Sequence, residues 1–161
     1  MKIFKLVALV LTITYLSTSC YSQIMTSGNY IYKTECLGVD LDGSQTLKAW
    51  GNGKNKLDAI EQAKKNAIRD VIFYGISEGK SDCEVKPLVN EVNAQSKYEQ
   101  YFNNFFANGG EYKNFIKLKD KQLKRKKLGE QKPSRAGVTY GIVVRVLRAE
   151  LKQKFIIDKI L

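Results

Sequence analysis

The segment LKAWGNGKNKLDAIEQAKKNAI, residues 47–68, places two glycines and a lysine directly ahead of a helical pattern. Free backbone N–H groups at a helix N-terminus bind phosphate well, so the segment raises the question of a nucleotide site. The spacing answers against one. A P-loop needs G-x-x-x-x-G-K followed by a hydroxyl that reaches magnesium, but Asn55 follows Gly53-Lys54 and Lys48 stands where the first glycine belongs. The dinucleotide pattern fails as well, because its third glycine position is Lys56. GNGKN therefore reads as a connection from a strand to a helix.

Other chemistry is equally thin. The chain has no histidine, so the commonest general base and metal ligand is absent. Asp40 and Asp42 lie two apart and would share one strand face, which leaves a weak cation site open. The Asp42-Gly43 pair beside them makes the polar entrance to a tight turn the better reading. Cys36 and Cys83 have no nearby third ligand and do not form a zinc pattern. With no nucleophile elbow either, the expectation is a protein that is not an enzyme and holds no metal or cofactor.

The amino terminus gives an address. Lys2 and Lys5 precede an apolar run from Leu6 to Leu16, which has the build of a signal-peptide core and is short for a membrane span. The run ends in STSC, similar to a lipobox, in which cleavage before Cys20 leaves that cysteine to carry a covalent lipid. Ser17 occupies the place usual for leucine. Cleavage after Ser22 and a retained anchor are the alternatives, and all three export the remaining chain. Outside the cytoplasm, Cys36 and Cys83 are a candidate disulfide. Bridging them closes a loop of roughly fifty residues and is worth about 4 kcal/mol at most in the chain-entropy account. Two separately buried thiols are the alternative.

Basicity is concentrated in one place. The formal charge is +11, yet residues 20–112 hold 10 basic against 12 acidic side chains, whereas residues 113–135 hold 10 against 2. Lys117, Lys119, Lys121, Lys124, Arg125, Lys126, Lys127, Lys132 and Arg135 form a candidate anion-binding set within a basic loop at 119–135. A solvated loop without a ligand is the plainer reading of the same run.

The elements that must position these residues follow from periodicity. Leu37, Val39 and Leu41 alternate with polar or small residues, Asp42-Gly43 predicts a two-residue turn, and Thr46 to Trp50 resumes the extended pattern. A helix is predicted from Lys56 to Tyr74, with Asn55 as N-cap, Ile60, Ala63, Ala67, Val71 and Tyr74 inward, and Gly75 as its stop. Pro87 opens a second predicted helix in which Leu88, Val92, Gln95, Tyr98, Phe102 and Phe105 or Phe106 share a face. That spacing assigns the aromatic cluster YEQYFNNFF to the core rather than to base or sugar stacking, with Tyr101 as an exposed member free to meet a partner. Strands are predicted at Tyr112–Leu118 and Val138–Leu147, and a last helix from Ala149 with Leu151, Phe155 and Ile160 inward. The predicted fold is α+β, an antiparallel sheet packed with two to three helices in the order ββααββα. Its organisation is a signal peptide at 1–19, a tether at 20–33 and a single domain at 34–161.

The strand ending in KAWGNG, the helix DAIEQAKKNAIRDVIF behind it and the later strand YGIVVRV together resemble small bacterial envelope lipoproteins related to the amino-terminal domain of the flagellar T-ring assembly protein. The low-proline composition, rich in lysine and asparagine, is similar to that of Bacteroidota lipoproteins. The resemblance covers residues 44–148 and implies an envelope component that works by assembly, without a catalytic set to transfer. The expected protein is thus a structural or assembly component of a cell-envelope machine such as a secretion apparatus or appendage base. It would be lipid-anchored to the outer membrane, with the membrane and other envelope proteins as partners and no small-molecule substrate. The alternatives are a soluble periplasmic or secreted protein, and a module that binds lipid phosphate, acidic glycan or nucleic acid through the basic loop.

Overall fold

A hairpin opens the described part of the chain. β1 (Glu35–Val39) and β2 (Gln45–Gly53) pair antiparallel, with a bulge between Cys36 and Gly38. The computed structural model describes residues 32–119, 130–134 and 137–161, all within the unit Ile31–Leu161. The expected signal peptide, most of the tether and Cys20 lie outside the described residues. The turn is wider than the predicted two residues. The Asp40 N–H donates to the Ser44 carbonyl and the Gly43 N–H to the Asp40 carbonyl, each at 2.9 Å. Leu41-Asp42-Gly43 is therefore a three-residue loop, and its last position has φ +75°, a left-handed conformation that suits glycine.

Helix α1 (Lys56–Arg69) starts where the sequence places it: the Asn55 side chain accepts from the Asp58 N–H at 3.0 Å. Such a cap is worth about 1 kcal/mol. Ala59, Ala63 and Ala67 are fully buried against β2, whose Gly51 and Gly53 leave no room for side chains. The helix ends differently from its prediction. Asp70–Tyr74 form a π-helical turn, and this wider turn moves the inward stripe out of the 3.6-residue phase. Ile68, Val71 and Ile72 are buried, while Tyr74, expected inward, is 65% exposed.

The predicted second helix is the largest departure. No helix forms from Pro87; instead the Leu88 and Val89 N–H groups donate to the Val71 and Ile72 carbonyls at 3.0 and 2.8 Å. The carbonyls at the end of a helix lack intrahelical partners, and this segment supplies them as an extended strap. Val92 is consequently exposed. Helices α2 (Ala94–Lys97) and α3 (Glu99–Phe105) follow, interrupted at Tyr98. Phe102 and Phe105 are buried and meet Phe155 at ring-centroid distances of 5.9 and 5.7 Å. The aromatic run is core, as its spacing implied.

The predicted strand from Tyr112 is mostly a 3-10 helix, Glu111–Phe115, and β4 is only Ile116–Leu118. A short β3 (Glu78–Gly79) and an additional β5 (Glu130–Ser134) join β6 (Gly137–Val146) and α4 (Arg148–Ile157). β5 lies inside the expected basic loop. It pairs with Gly137–Gly141 of β6 along the same edge on which β4 pairs with Val144–Val146. Pro133 is tolerated there because an edge strand need not donate on both sides. The described strands form a six-stranded sheet ordered β3-β1-β2-β6-β4, with β5 also on β6. The fold is α+β. The sheet is mixed, not antiparallel throughout, because β3 runs parallel to β1. The described elements run ββαβααβββα, with the helices gathered over one face, where Leu47, Ala49, Ile142, Val144 and Val146 are buried.

Candidate functional site

The two described cysteines are joined. Cys36 on β1 and Cys83 in the loop before Pro87 form a disulfide with Cα atoms 6.2 Å apart. It ties the outer part of the sheet to the strap that completes α1, so one bond holds two segments of poor intrinsic regularity. Cys36 is fully buried and Cys83 is 7% exposed.

The Asp40–Asp42 pair belongs to an ion network. Arg145 on β6 stands opposite Thr46 on β2 and Lys117 on β4. Its Nε donates to Ser44 Oγ at 2.6 Å and lies 3.1 Å from Asp40 Oδ2, while Nη2 reaches Asp42 Oδ2 at 2.7 Å. Hydrogen bonds from the Ser44 hydroxyl and N–H, then from Arg145, hold the Asp42 carboxyl far below its ordinary range. These carboxylates are paired with the Arg145 guanidinium, which supplies their positive partner. Among the described residues no three His, Cys, Asp or Glu side chains converge on a common point.

The root of the candidate anion set lies beside this network. Lys119 Nζ donates to Thr46 Oγ1 at 2.9 Å and sits 3.9 Å from Asp40 Oδ1. It is thereby drawn into the hairpin network while its side chain stays half exposed. Lys117 is exposed. Lys121, Lys124, Arg125, Lys126, Lys127 and Arg135 lie outside the described residues, and Lys132 is placed on β5 by its backbone register alone, opposite Thr139. The side chains of two of the nine residues are thus described, both exposed, and one of them is tied to the hairpin.

GNGKN does not form a phosphate cradle. Gly51 and Gly53 are the floor on which α1 rests: a Cβ on Gly51 would lie 2.2 Å from both the Ala59 carbonyl oxygen and the Ala63 nitrogen. On the opposite face of β2, Trp50 stacks on Tyr32 with centroids 4.7 Å apart, and Gly141 leaves space beneath the indole. Tyr101, expected to face a partner, is instead half-buried: its hydroxyl donates to Asp158 and its ring packs on Phe102 and Phe155. Burial, then the Asp158 carboxylate, push its phenol well above the ordinary tyrosine range.

Two features escaped sequence reasoning. One is Glu61 on α1, which accepts from the buried Tyr112 hydroxyl and forms ion pairs with Lys64 at 3.0 Å and Lys113 at 3.2 Å. The other is a groove of about 740 Å³ between the first hairpin, the Cys83 loop and the start of α4. Apart from the Glu61–Lys64 pair, three residues apart on α1, neither has a local signature, because the other contributing residues are far apart in the chain. Comparison with protein-family models, curated proteins and solved structures finds no match to this chain.

Proposed function

We propose that this chain is an exported, lipid-anchored component of the cell envelope that acts by assembly with other envelope proteins and not by catalysis. The observation that carries the reading is the Cys36–Cys83 disulfide, since such bonds persist in oxidising compartments and are rare in the cytosol. The leader pattern ending at Cys20 and the resemblance to envelope lipoproteins support it. So does the use of the polar residues: the Asp40, Asp42, Ser44, Arg145 and Lys119 side chains satisfy one another and stiffen the hairpin. A rigid, stapled scaffold suits docking within a larger machine.

Crosslinked pull-down from intact cells tests this reading, comparing wild type with a variant whose Lys124 to Lys127 are neutralised and washing at low and high salt. A fixed set of envelope proteins recovered by both forms at high salt is expected, because apolar docking survives screening. Loss of partners in the variant, or at high salt, overturns the assembly reading in favour of an anionic polymer bound through the basic loop. The exposure of Lys117 and Lys119, two residues apart, favours that second reading.

A further inference from the structure

The groove beside α4 carries chemistry of three kinds. Val39 of β1, Val85 and Leu88 give it apolar walls, and the first two are 39% and 53% exposed. The N-terminus of the ten-residue α4, marked by Arg148 and Ala149, opens on it, and no side chain caps that helix. Uncapped first-turn N–H groups attract a negative charge. Arg148 adds a half-buried guanidinium that donates to the Lys86 carbonyl at 2.7 Å and, among the described residues, has no ion pair. Burial lowers its pKa, and Glu84 offsets part of that without reaching ion-pair distance. Lys86 and Lys152 also line the groove, facing Asp82 and Glu84 in the balance of charge.

The third kind is independent of the helix terminus. Gln45 lines the same groove and is 1% exposed; its Nε2 donates to the Glu84 carbonyl at 3.2 Å, while its buried Oε1 has no hydrogen-bond partner. A buried acceptor left unpaired is costly, so this position calls for an N–H or O–H donor.

We propose that the groove binds the carboxy terminus of a peptide whose last residue is apolar. The carboxylate meets the α4 N-terminus and Arg148, the final side chain lies among Val39, Val85 and Leu88, and the last peptide N–H donates to Gln45 Oε1. Each of the three features then has its complement on one short ligand, a mode in which a main-chain terminus is captured by backbone N–H groups. The site does not depend on the anchoring at Cys20, so it stands or falls apart from the envelope reading.

The test is titration of the oxidised full chain, in detergent micelles, with N-acetyl-Ala-Ala-Leu as the free acid and as its C-terminal amide, followed in ¹⁵N–¹H spectra. Saturable shifts of the Gln45 side-chain amide and the Ala149 backbone N–H are expected with the acid, with about tenfold weaker binding of the amide, the loss typical of a charged hydrogen bond. Arg148→Gln should weaken the acid about tenfold by the same reasoning, and Glu84→Gln should tighten it. Because Arg148 also holds the Lys86 carbonyl, Lys152→Gln serves where that variant fails to fold, and should weaken the acid without touching the amide. Equal response to acid and amide, shifts confined to other regions, or no saturation would overturn the proposal and leave Gln45 Oε1 to an ordinary bound water.

Discussion

Replacing Gly51 by alanine adds one methyl group at the place where helix and sheet approach most closely. The new Cβ would sit 2.2 Å from the Ala59 carbonyl oxygen and 2.2 Å from the Ala63 nitrogen, whereas ordinary contact begins near 3.4 Å. Both obstacles are backbone atoms of α1, so no side chain can swing away. The helix must retreat by about an ångström, and a gap of that size forfeits roughly a quarter to a half of each dispersion contact along its buried face. That face includes Ala59, Ala63, Ala67 and Ile68, all fully buried. Overpacking of a tight core costs about 1–3 kcal/mol, and two backbone clashes place Gly51→Ala at about 3 kcal/mol or above. Gly109→Ala is the control: its φ is +86°, yet nothing lies within 4 Å of the added Cβ, so it should cost only about 1–2 kcal/mol of left-handed strain. Urea unfolding followed by circular dichroism measures both, through the shift in midpoint at constant slope. A Gly51→Ala loss no larger than that of Gly109→Ala would refute the packing account of GNGKN and reopen a binding role for those glycines.

Removing the disulfide as Cys36→Ala with Cys83→Ala frees a loop spanning 47 residues and should lower unfolding free energy by about 4 kcal/mol in the chain-entropy account; a denaturant midpoint close to wild type would contradict this. Burial pushes the Glu61 carboxyl up, but hydrogen bonds from Tyr112, Lys64 and Lys113 outweigh it and hold the pKa at about 2, against an ordinary 4.5. A depressed folded pKa stabilises above the unfolded value, so this contribution is complete above pH 4.5 and is lost as pH falls towards 2. Glu61→Gln should accordingly flatten the acid limb of a stability–pH curve in that window while leaving its shape near neutrality unchanged. Arg145→Met should cost more stability than Lys117→Met, because Arg145 bonds Ser44 and pairs with Asp40 and Asp42 whereas Lys117 is exposed; equal midpoints in urea would count against the hairpin network.

What was legible in the sequence was the chemistry written into short spans. Asn55 announced a helix start, the spacing of Ala63 and Ala67 announced the buried side of α1, and the spacing of Phe102 and Phe105 announced a core. The failures arise where distant backbone groups decide the outcome. The π-helical turn and the strap at Leu88 and Val89 form together, each supplying what the other lacks, and no periodicity in either segment records the pairing. Glu130–Ser134 becomes a strand because β6 offers it an open edge, although Pro133 and a polar composition argue locally against one. Parallel pairing of β3 with β1 covers two residue pairs, too few to leave a pattern. The candidate site divides in the same way: Cys36 and Cys83 were identifiable from cysteine number and compartment, whereas the groove draws Gln45, Leu88 and Arg148 from three separate elements. Asp40 and Asp42 showed their turn role in the sequence, but their partner Arg145 comes from a strand a hundred residues away.

The central claim is that the chain is exported and anchored as a stapled envelope component, and one mass measurement tests it most directly. Protein recovered from the membranes of its own cells, digested without reduction, should yield an amino-terminal fragment that begins at Cys20 and carries covalent lipid, together with a fragment in which Cys36 and Cys83 remain linked. A fragment beginning at Gln23 without lipid, or free thiols at Cys36 and Cys83, would contradict the account.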